Sequence, residues 1–208
     1  MSAQPQPSFS PAKPFVTPEE YLAAEREAEF KHEYYQGEVH AMVGASNEHT
    51  LIVSNLVVTI GNQIRDRDCT VRASDMRLQT SAAGLYSYPD VSVVCGLPEF
   101  RPDAHLDTLL NPTLLMEVIS KSTGKHDRGS KFLYYRSIPS LKHYVLVASK
   151  ETEVSVYTRA EGEKWIFEAF NEPDAVVPLP LLQLELPLAE VYRKVPLRAA
   201  EGPAEASS

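Results

Sequence analysis

The sequence predicts an α/β or α+β fold in which helices cover the faces of a mixed β-sheet. Helical and strand patterns interleave along the chain, from a helix and a hairpin to a final strand and hairpin. Two continuous apolar runs, 113–119 and 142–148, are typical of strands that are covered on both faces. Because a helical pattern separates them, we expect these two strands to be parallel, with a right-handed crossover.

The N-terminal elements are predicted from capping and turn residues. Thr17, followed by proline and two glutamates, predicts a helix start, and the helix should reach about Glu29. Residues 32–43 are predicted to form a hairpin that turns at Gly37. Ser46 begins a second, long helix, whose apolar residues recur at helical spacing and should pack on the sheet. These residues are Leu51, Ile52, Leu56, Ile60 and Ile64.

The rest of the chain alternates between strand and loop patterns. We predict strands within 69–80, a further strand from residue 90, and a loop over 96–111. A helix is expected within 125–138, and an amphipathic hairpin within 151–170.

The 208 residues suit a single domain, which we place at 17–195. Residues 1–16 are predicted to be a disordered leader and 196–208 a disordered tail. No apolar run reaches the roughly 20 residues that span a bilayer, so no membrane segment is predicted and a cytoplasmic location is expected. The net charge of −8 argues against bulk electrostatic coating of nucleic acid, although a local basic groove or a bound metal would still permit contact.

Only two cysteines occur, and both lie in apolar, strand-like runs. Two residues do not make a disulfide framework or a zinc site. Cys69 and Cys95 are therefore predicted to be buried free thiols in a reducing cytosol.

Two acidic residues occupy positions that would normally be apolar. Glu117 lies inside the apolar run 113–119, where an uncompensated carboxylate is strongly destabilising. Asp90 begins another buried strand 27 residues earlier, directly after "SYP". If the two strands are neighbours, the carboxylates converge and repel unless a proton or a cation lies between them. Oxygen ligands with open water positions suit Mg²⁺ or Mn²⁺.

The same residues have purely structural interpretations. Asp90 could cap a strand, and Glu117 could be a neutral core acid or pair with an arginine such as Arg77 or Arg136. An acid at a strand edge, such as Glu33, is ordinarily solvated, and so is a lysine on the first turns of a helix, such as Lys131. Lys131 could nevertheless reach the same site as Asp90 and Glu117. His49 and His126 each lack a second histidine at ligand spacing, so neither indicates a zinc site.

Four segments together carry a family resemblance. "HEYYQGEVHAMVGASNEH", "YPDVSVV", "PTLLMEVISKST" and "HDRGSKFLYYRSIPSLKHYVLV" resemble the Uma-type restriction endonuclease family, part of the PD-(D/E)XK nuclease superfamily. The resemblance covers about 17–192. It implies the restriction-endonuclease-like fold, a mixed central sheet flanked by helices, with the acids meeting at one edge.

The resemblance also implies roles for individual residues. Asp90 and Glu117 match the two acids that ligate Mg²⁺ or Mn²⁺, and Glu33 matches an upstream acid that assists metal or water binding. The superfamily has lysine two positions after the second acid, where this chain has Ile119. Lys131 matches a lysine that the family carries on the following helix, and is favoured as the replacement.

Lys121 shares the strand face of Glu117 and is the second choice for the catalytic lysine.

The implied function is metal-dependent hydrolysis of nucleic-acid phosphodiester bonds, with DNA as the expected substrate. The resemblance also implies a homodimer, and the hairpin within 151–170 is a candidate for its interface. The alternatives are a catalytically degenerate binding or scaffold module, and a metal-dependent enzyme with another substrate. A nuclease should line its groove with basic residues. The candidates are Arg65, Arg67, Arg72, Arg77, Lys121, Lys125 and Arg128.

Overall fold

The computed structural model describes residues 14–80, 84–120 and 127–197. Most of the predicted leader and tail, 1–16 and 196–208, therefore lies outside the described residues. The described chain forms a mixed α+β fold, as the sequence predicts. No helix in the described ranges has the length and apolar character needed to cross a membrane.

The strands fall into three sheets. One has five strands in the order β2-β1-β5-β4-β7, one has six in the order β11-β10-β9-β8-β6-β3, and β12 pairs with β13. The bounds are β1 (His32–Tyr35), β2 (Glu38–Ala41), β3 (Cys69–Ala73), β4 (Arg77–Gln79), β5 (Leu85–Ser87), β6 (Val91–Cys95), β7 (Thr108–Leu109), β8 (Leu114–Ile119), β9 (His143–Ala148), β10 (Val154–Arg159), β11 (Trp165–Phe170), β12 (Val176–Leu179) and β13 (Leu184–Pro187).

The helices are few and mostly short. The two long ones are α1 (Pro18–Glu27) and α2 (Asn47–Ile64). Thr17 and Glu20 form the capping box that starts α1, and the Ser46 hydroxyl caps α2. The short helical segments are Asp127–Lys131, which is a π-helical turn, Phe132–Tyr135, Pro180–Leu182 and Leu188–Val191.

The six-stranded sheet is the middle layer of the molecule. Its central strands β8 and β9 are parallel, as predicted, and both are buried throughout. Side chains alternate between the two faces of β8. Leu114, Met116 and Val118 pack with α2 and the β12–β13 hairpin, whereas Leu115 and Ile119 pack with the other sheet and the segment around Tyr135. Glu117 lies between Leu115 and Ile119 and points to the same face as this second set.

Several strands were not predicted. The loop expected over 96–111 contains β7, which pairs in parallel with β4. The short strand β5 and the C-terminal pair β12–β13 also went unpredicted. Each is only two to four residues long, so the local pattern carries little signal.

The prediction of free thiols was wrong. Cys69 and Cys95 form a disulfide, and no free cysteine remains in the chain. The antiparallel register of β3 and β6 sets the two residues directly opposite each other, with Cα atoms 4.0 Å apart. The bond ties the edge strand β3 to β6.

Removing the disulfide should destabilise the fold. The bond closes a loop of 26 residues, and chain-entropy arguments give about 3 kcal/mol for such a loop. We expect Cys69→Ala/Cys95→Ala to lower the free energy of unfolding by about that amount in a urea titration. Dithiothreitol should act equally on the wild type and leave the variant unchanged. Two free thiols in the unreduced protein would contradict this.

His143 should make stability depend on pH. It is fully buried, its Nε2 accepts from the Leu181 N–H at 3.2 Å, and its Nδ1 lies 3.1 Å from Thr158 Oγ1. Burial is the larger cause, and the positive charge of Lys142 the smaller one, that together lower the pKa of His143 from 6.5 to about 4. Between pH 6.5 and about pH 4 the unfolded chain therefore binds a proton at His143 that the folded chain does not bind. The free energy of unfolding falls as the pH drops through this range.

We expect the free energy of unfolding to fall by about 3 kcal/mol between pH 7 and pH 4 because of this residue. Urea titrations of the wild type and His143→Gln at the two pH values measure it. The variant should lose less stability on acidification than the wild type. Identical losses in both proteins would show that another group is responsible.

Candidate active site

The two acids meet because β6 and β8 are antiparallel neighbours. Val91 lies opposite Met116, and continuing this register by one step sets Asp90 opposite Glu117. The Val118 N–H donates to Asp90 Oδ2 at 2.7 Å, so the Asp90 carboxylate takes the place of a backbone acceptor just before β6 begins. The structure therefore brings together the two residues that sequence patterns single out.

Glu117 lies in the middle of β8 and is 5% exposed. Its Oε1 accepts from Tyr135 OH at 2.9 Å and from Lys131 Nζ at 3.3 Å. Arg77, one proposed partner, instead donates to Asp107 at 2.6 Å. Glu117 is thus a buried carboxylate that has both a counter-charge and a hydroxyl donor.

Lys131 links the two large sheets. Its Nζ lies 3.3 Å from Glu117 Oε1 on the six-stranded sheet and 2.9 Å from Glu33 Oε1 on β1 of the other sheet. The lysine is 7% exposed, so it is not the solvated residue that its helical position would ordinarily suggest. Glu33 Oε1 is buried, and its contact with Lys131 is an ion pair without hydrogen-bond geometry.

Sequence patterns missed His49 and Tyr135. His49 lies on the first turn of α2, with Nε2 3.2 Å from Asp90 Oδ2, and its buried Nδ1 has no hydrogen-bond partner among the described residues. A single histidine at a helix start carries no sequence signal for such a contact. It arises because α2 begins beside the end of β8.

Tyr135 is buried beside Glu117. Its hydroxyl lies 2.9 Å from both Glu117 Oε1 and Ser87 Oγ. Burial, and then the nearby charges of Glu117 and Glu33, hold the pKa of Tyr135 well above its usual value. The hydroxyl therefore remains protonated at any physiological pH and can donate to the carboxylate.

The acids line a cleft of about 840 Å³. One wall is the segment that follows β2, and the opposite wall includes the ends of β8 and β9. Its ionisable lining residues are Glu29, Lys31, Glu33, His40, His49, Asp90, Glu117, Lys131 and Lys150, together with Tyr88. Such a cleft with converging charged groups is the usual setting of an active site.

The donor set fits a small divalent cation. Asp90 Oδ2 is already bonded, but its Oδ1 has no hydrogen bond to any described residue, and Glu33 Oε1 is buried without one. Within the described ranges no group of three or more His, Cys, Asp or Glu side chains is arranged to hold a metal. Mg²⁺ accepts one or two protein carboxylates and keeps its waters, so Asp90 and Glu117 can be sufficient.

The predicted basic groove was wrong for the residues that the structure describes. Arg65, Arg67, Arg72 and Arg77 do not line the cleft. Arg77 is buried against Asp107, while Arg67 donates to the Leu182 carbonyl oxygen on the far side of α2. The remaining candidates, Lys121, Lys125 and the side chain of Arg128, lie outside the described residues.

Comparison with known proteins places this fold in the restriction-endonuclease-like class. Residues 18–189 match the Uma2 family, described as "Putative restriction endonuclease". The chain belongs to this family, as its sequence resemblance implies.

Relatives and a solved structure agree with this assignment. Two uncharacterized proteins of Synechocystis sp., slr1290 and sll1609, are 35% and 32% identical to the chain. The alignments cover 89% and 81% of this chain, and 97% and 95% of the relatives. A crystal structure described as a putative nuclease of DUF820 from Anabaena variabilis has the same fold, with a TM-score of 0.68. It is 22% identical, and the match covers 85% of this chain and 97% of that one.

The Lys131 ion pairs should stabilise the fold measurably. Lys131→Met keeps the length of the aliphatic stem but removes the ammonium group that contacts the buried carboxylates of Glu33 and Glu117. We expect this to lower the free energy of unfolding at pH 7 by about 3 kcal/mol in a urea titration. Glu117→Gln added to Lys131→Met should recover part of the loss.

Lys150→Met is the matched control. Lys150 lies 2.7 Å from Glu48, but its side chain is 51% exposed, so the pair should add little stability. An equal loss in both methionine variants would contradict the special importance of the buried pair.

Proposed function

We propose that this chain is a metal-dependent endonuclease that hydrolyses phosphodiester bonds in nucleic acid, with DNA as the first substrate to test. The observation that carries the proposal is the placement of Asp90 opposite Glu117 on neighbouring strands, with Lys131 in contact with Glu117. Membership of a family described as restriction endonucleases supports the same reaction.

Asp90 and Glu117 would hold Mg²⁺ or Mn²⁺, with Glu33 assisting. A bound divalent cation lowers the pKa of a coordinated water and neutralises charge on the phosphodiester. Val118 N–H and His49 orient the Asp90 carboxylate, while Tyr135 orients that of Glu117. Lys131 would place its positive charge beside the scissile phosphate and stabilise the negative charge that develops there.

A catalytically degenerate binding module is the second candidate. Ile119 occupies the usual lysine position and is buried in the core, so it supplies no proton or charge. Lys131 already contacts two carboxylates, which could lock it in a structural role. A protein of this kind would bind metal or nucleic acid without cutting it.

The assembly and the location of the protein are part of the proposal. We propose a homodimer, and light scattering in solution measures its mass. The exposed side chains Ile166 and Phe167 on the edge strand β11 support the hairpin within 151–170 as its interface. We also propose a cytoplasmic location.

The proposal predicts that metal binding and cleavage depend on the same two acids. Calorimetric titration with Mn²⁺ should show binding to the wild type and at least a tenfold loss of affinity in Asp90→Asn and in Glu117→Gln. Asn retains an acceptor for the Val118 N–H, so the loss should report the charge rather than misfolding. Nicking of supercoiled plasmid should require Mg²⁺ or Mn²⁺ and fail in both variants.

Glu185→Gln is the control, because this carboxylate lies on β13 outside the cleft. It should bind metal and nick plasmid like the wild type. Metal binding by the wild type without nicking of any nucleic acid would favour the degenerate module. Absence of metal binding by the wild type would overturn the proposed mechanism.

A further inference from the structure

We propose that the cleft contains a subsite for an unpaired nucleobase, with Phe30 as its stacking surface and Lys31 as the contact for the adjoining phosphate. This rests on the proposed nuclease function and names its substrate class. The preferred substrate is single-stranded nucleic acid, or a duplex with unpaired nucleotides at the cut site.

The rim of the cleft carries exposed apolar side chains. Phe30 is 69% exposed and Val43 is 86% exposed, and both line the same cleft as Asp90 and Glu117. The Met42 N–H donates to the Lys31 carbonyl oxygen at 2.9 Å, so the β1–β2 pairing continues past both strands toward Phe30 and Val43. Scattered exposed apolar residues are ordinary, but an aromatic ring at the mouth of a charged cleft offers a stacking surface.

The charge of the cleft does not suit a duplex held by its phosphates. Its described lining residues include four carboxylates against three lysines. Lys131 contacts Glu33 and Glu117, and Lys150 contacts Glu48 at 2.7 Å. Duplex binding draws its affinity from neutralising several phosphates. Base stacking on an aromatic ring supplies affinity without such a surplus of positive charge.

Lys31 is the lining lysine best placed to exchange its partner. Its Nζ lies 2.6 Å from Asp75 Oδ1, whose side chain is 93% exposed, and it also donates to the Ser74 carbonyl oxygen at 3.0 Å and lies 5.4 Å from the centre of the Tyr88 ring. The exposed ion pair contributes little stability, so Lys31 can exchange Asp75 for a phosphate at small cost while it keeps its other two contacts. It directly follows Phe30 in the chain, which allows one nucleotide to stack on the ring and contact the ammonium group.

The test compares binding of a dye-labelled single strand with that of the same sequence in a blunt duplex, by fluorescence anisotropy in EDTA. Phe30→Ala should weaken single-strand binding about tenfold and leave duplex binding unchanged. Phe30→Leu should lose about as much, since it keeps apolar area without a π-face, whereas Phe30→Trp should retain affinity. Leu97→Ala, an exposed apolar residue outside the cleft, should have no effect.

An abasic scan identifies the stacked position. Removing one base at a time should weaken wild-type binding about tenfold at one position and cause no further loss in Phe30→Ala. Lys31→Met should reduce the slope of log affinity against log salt by about 0.7, while Phe30→Ala should leave it unchanged.

Equal single-strand binding by the wild type and Phe30→Ala would overturn the subsite. So would tighter binding to the blunt duplex, or no binding to either nucleic acid. Because these measurements involve no cleavage, they are independent of the nicking assay on Asp90→Asn. Absence of nicking by the wild type, with Phe30-dependent binding intact, would refute the nuclease and keep the subsite. Metal-dependent nicking by the wild type without Phe30-dependent binding would refute the subsite alone.

Discussion

The burial of Glu117 is the constraint on which the organisation around the site depends. A carboxylate inside a fully buried strand must be compensated, and Lys131 and Tyr135 supply the charge and the hydroxyl that do so. Lys131 can reach Glu117 only because the helical segment after β8 returns over the sheet. Through its second contact, with Glu33, the lysine also fixes the five-stranded sheet against the six-stranded one.

This coupling ties the chemistry of the site to the stability of the fold. Both large sheets contact the ammonium group of Lys131. The contacts that maintain the geometry of the cleft are therefore the same ones that would serve a reaction. Asp90 is held differently, by a backbone N–H of β8 and by His49 at the start of α2. The two acids are therefore oriented by different side chains, but β8, which carries Glu117, also supplies the N–H that holds Asp90.

Local patterns predicted the elements that carry strong periodicity or caps, including α1, α2 and the parallel strands β8 and β9. They also singled out Asp90 and Glu117, because a charged residue beside or within an apolar run can be recognised from the sequence alone. The contacts of His49 and Tyr135 and the Cys69–Cys95 bond depend on which strands become neighbours. Such pairings between distant segments are a property of the folded chain, and no local pattern encodes them.

The bond from the Val118 N–H to Asp90 has an evolutionary consequence. Asp90 fills a gap in the hydrogen bonding of the sheet as well as lining the cleft, so its loss would leave a backbone donor without an acceptor. A descendant that abandoned catalysis would still be under selection to keep Asp or Asn at this position. Retention of the aspartate among relatives therefore cannot, taken alone, mark which of them still cut nucleic acid.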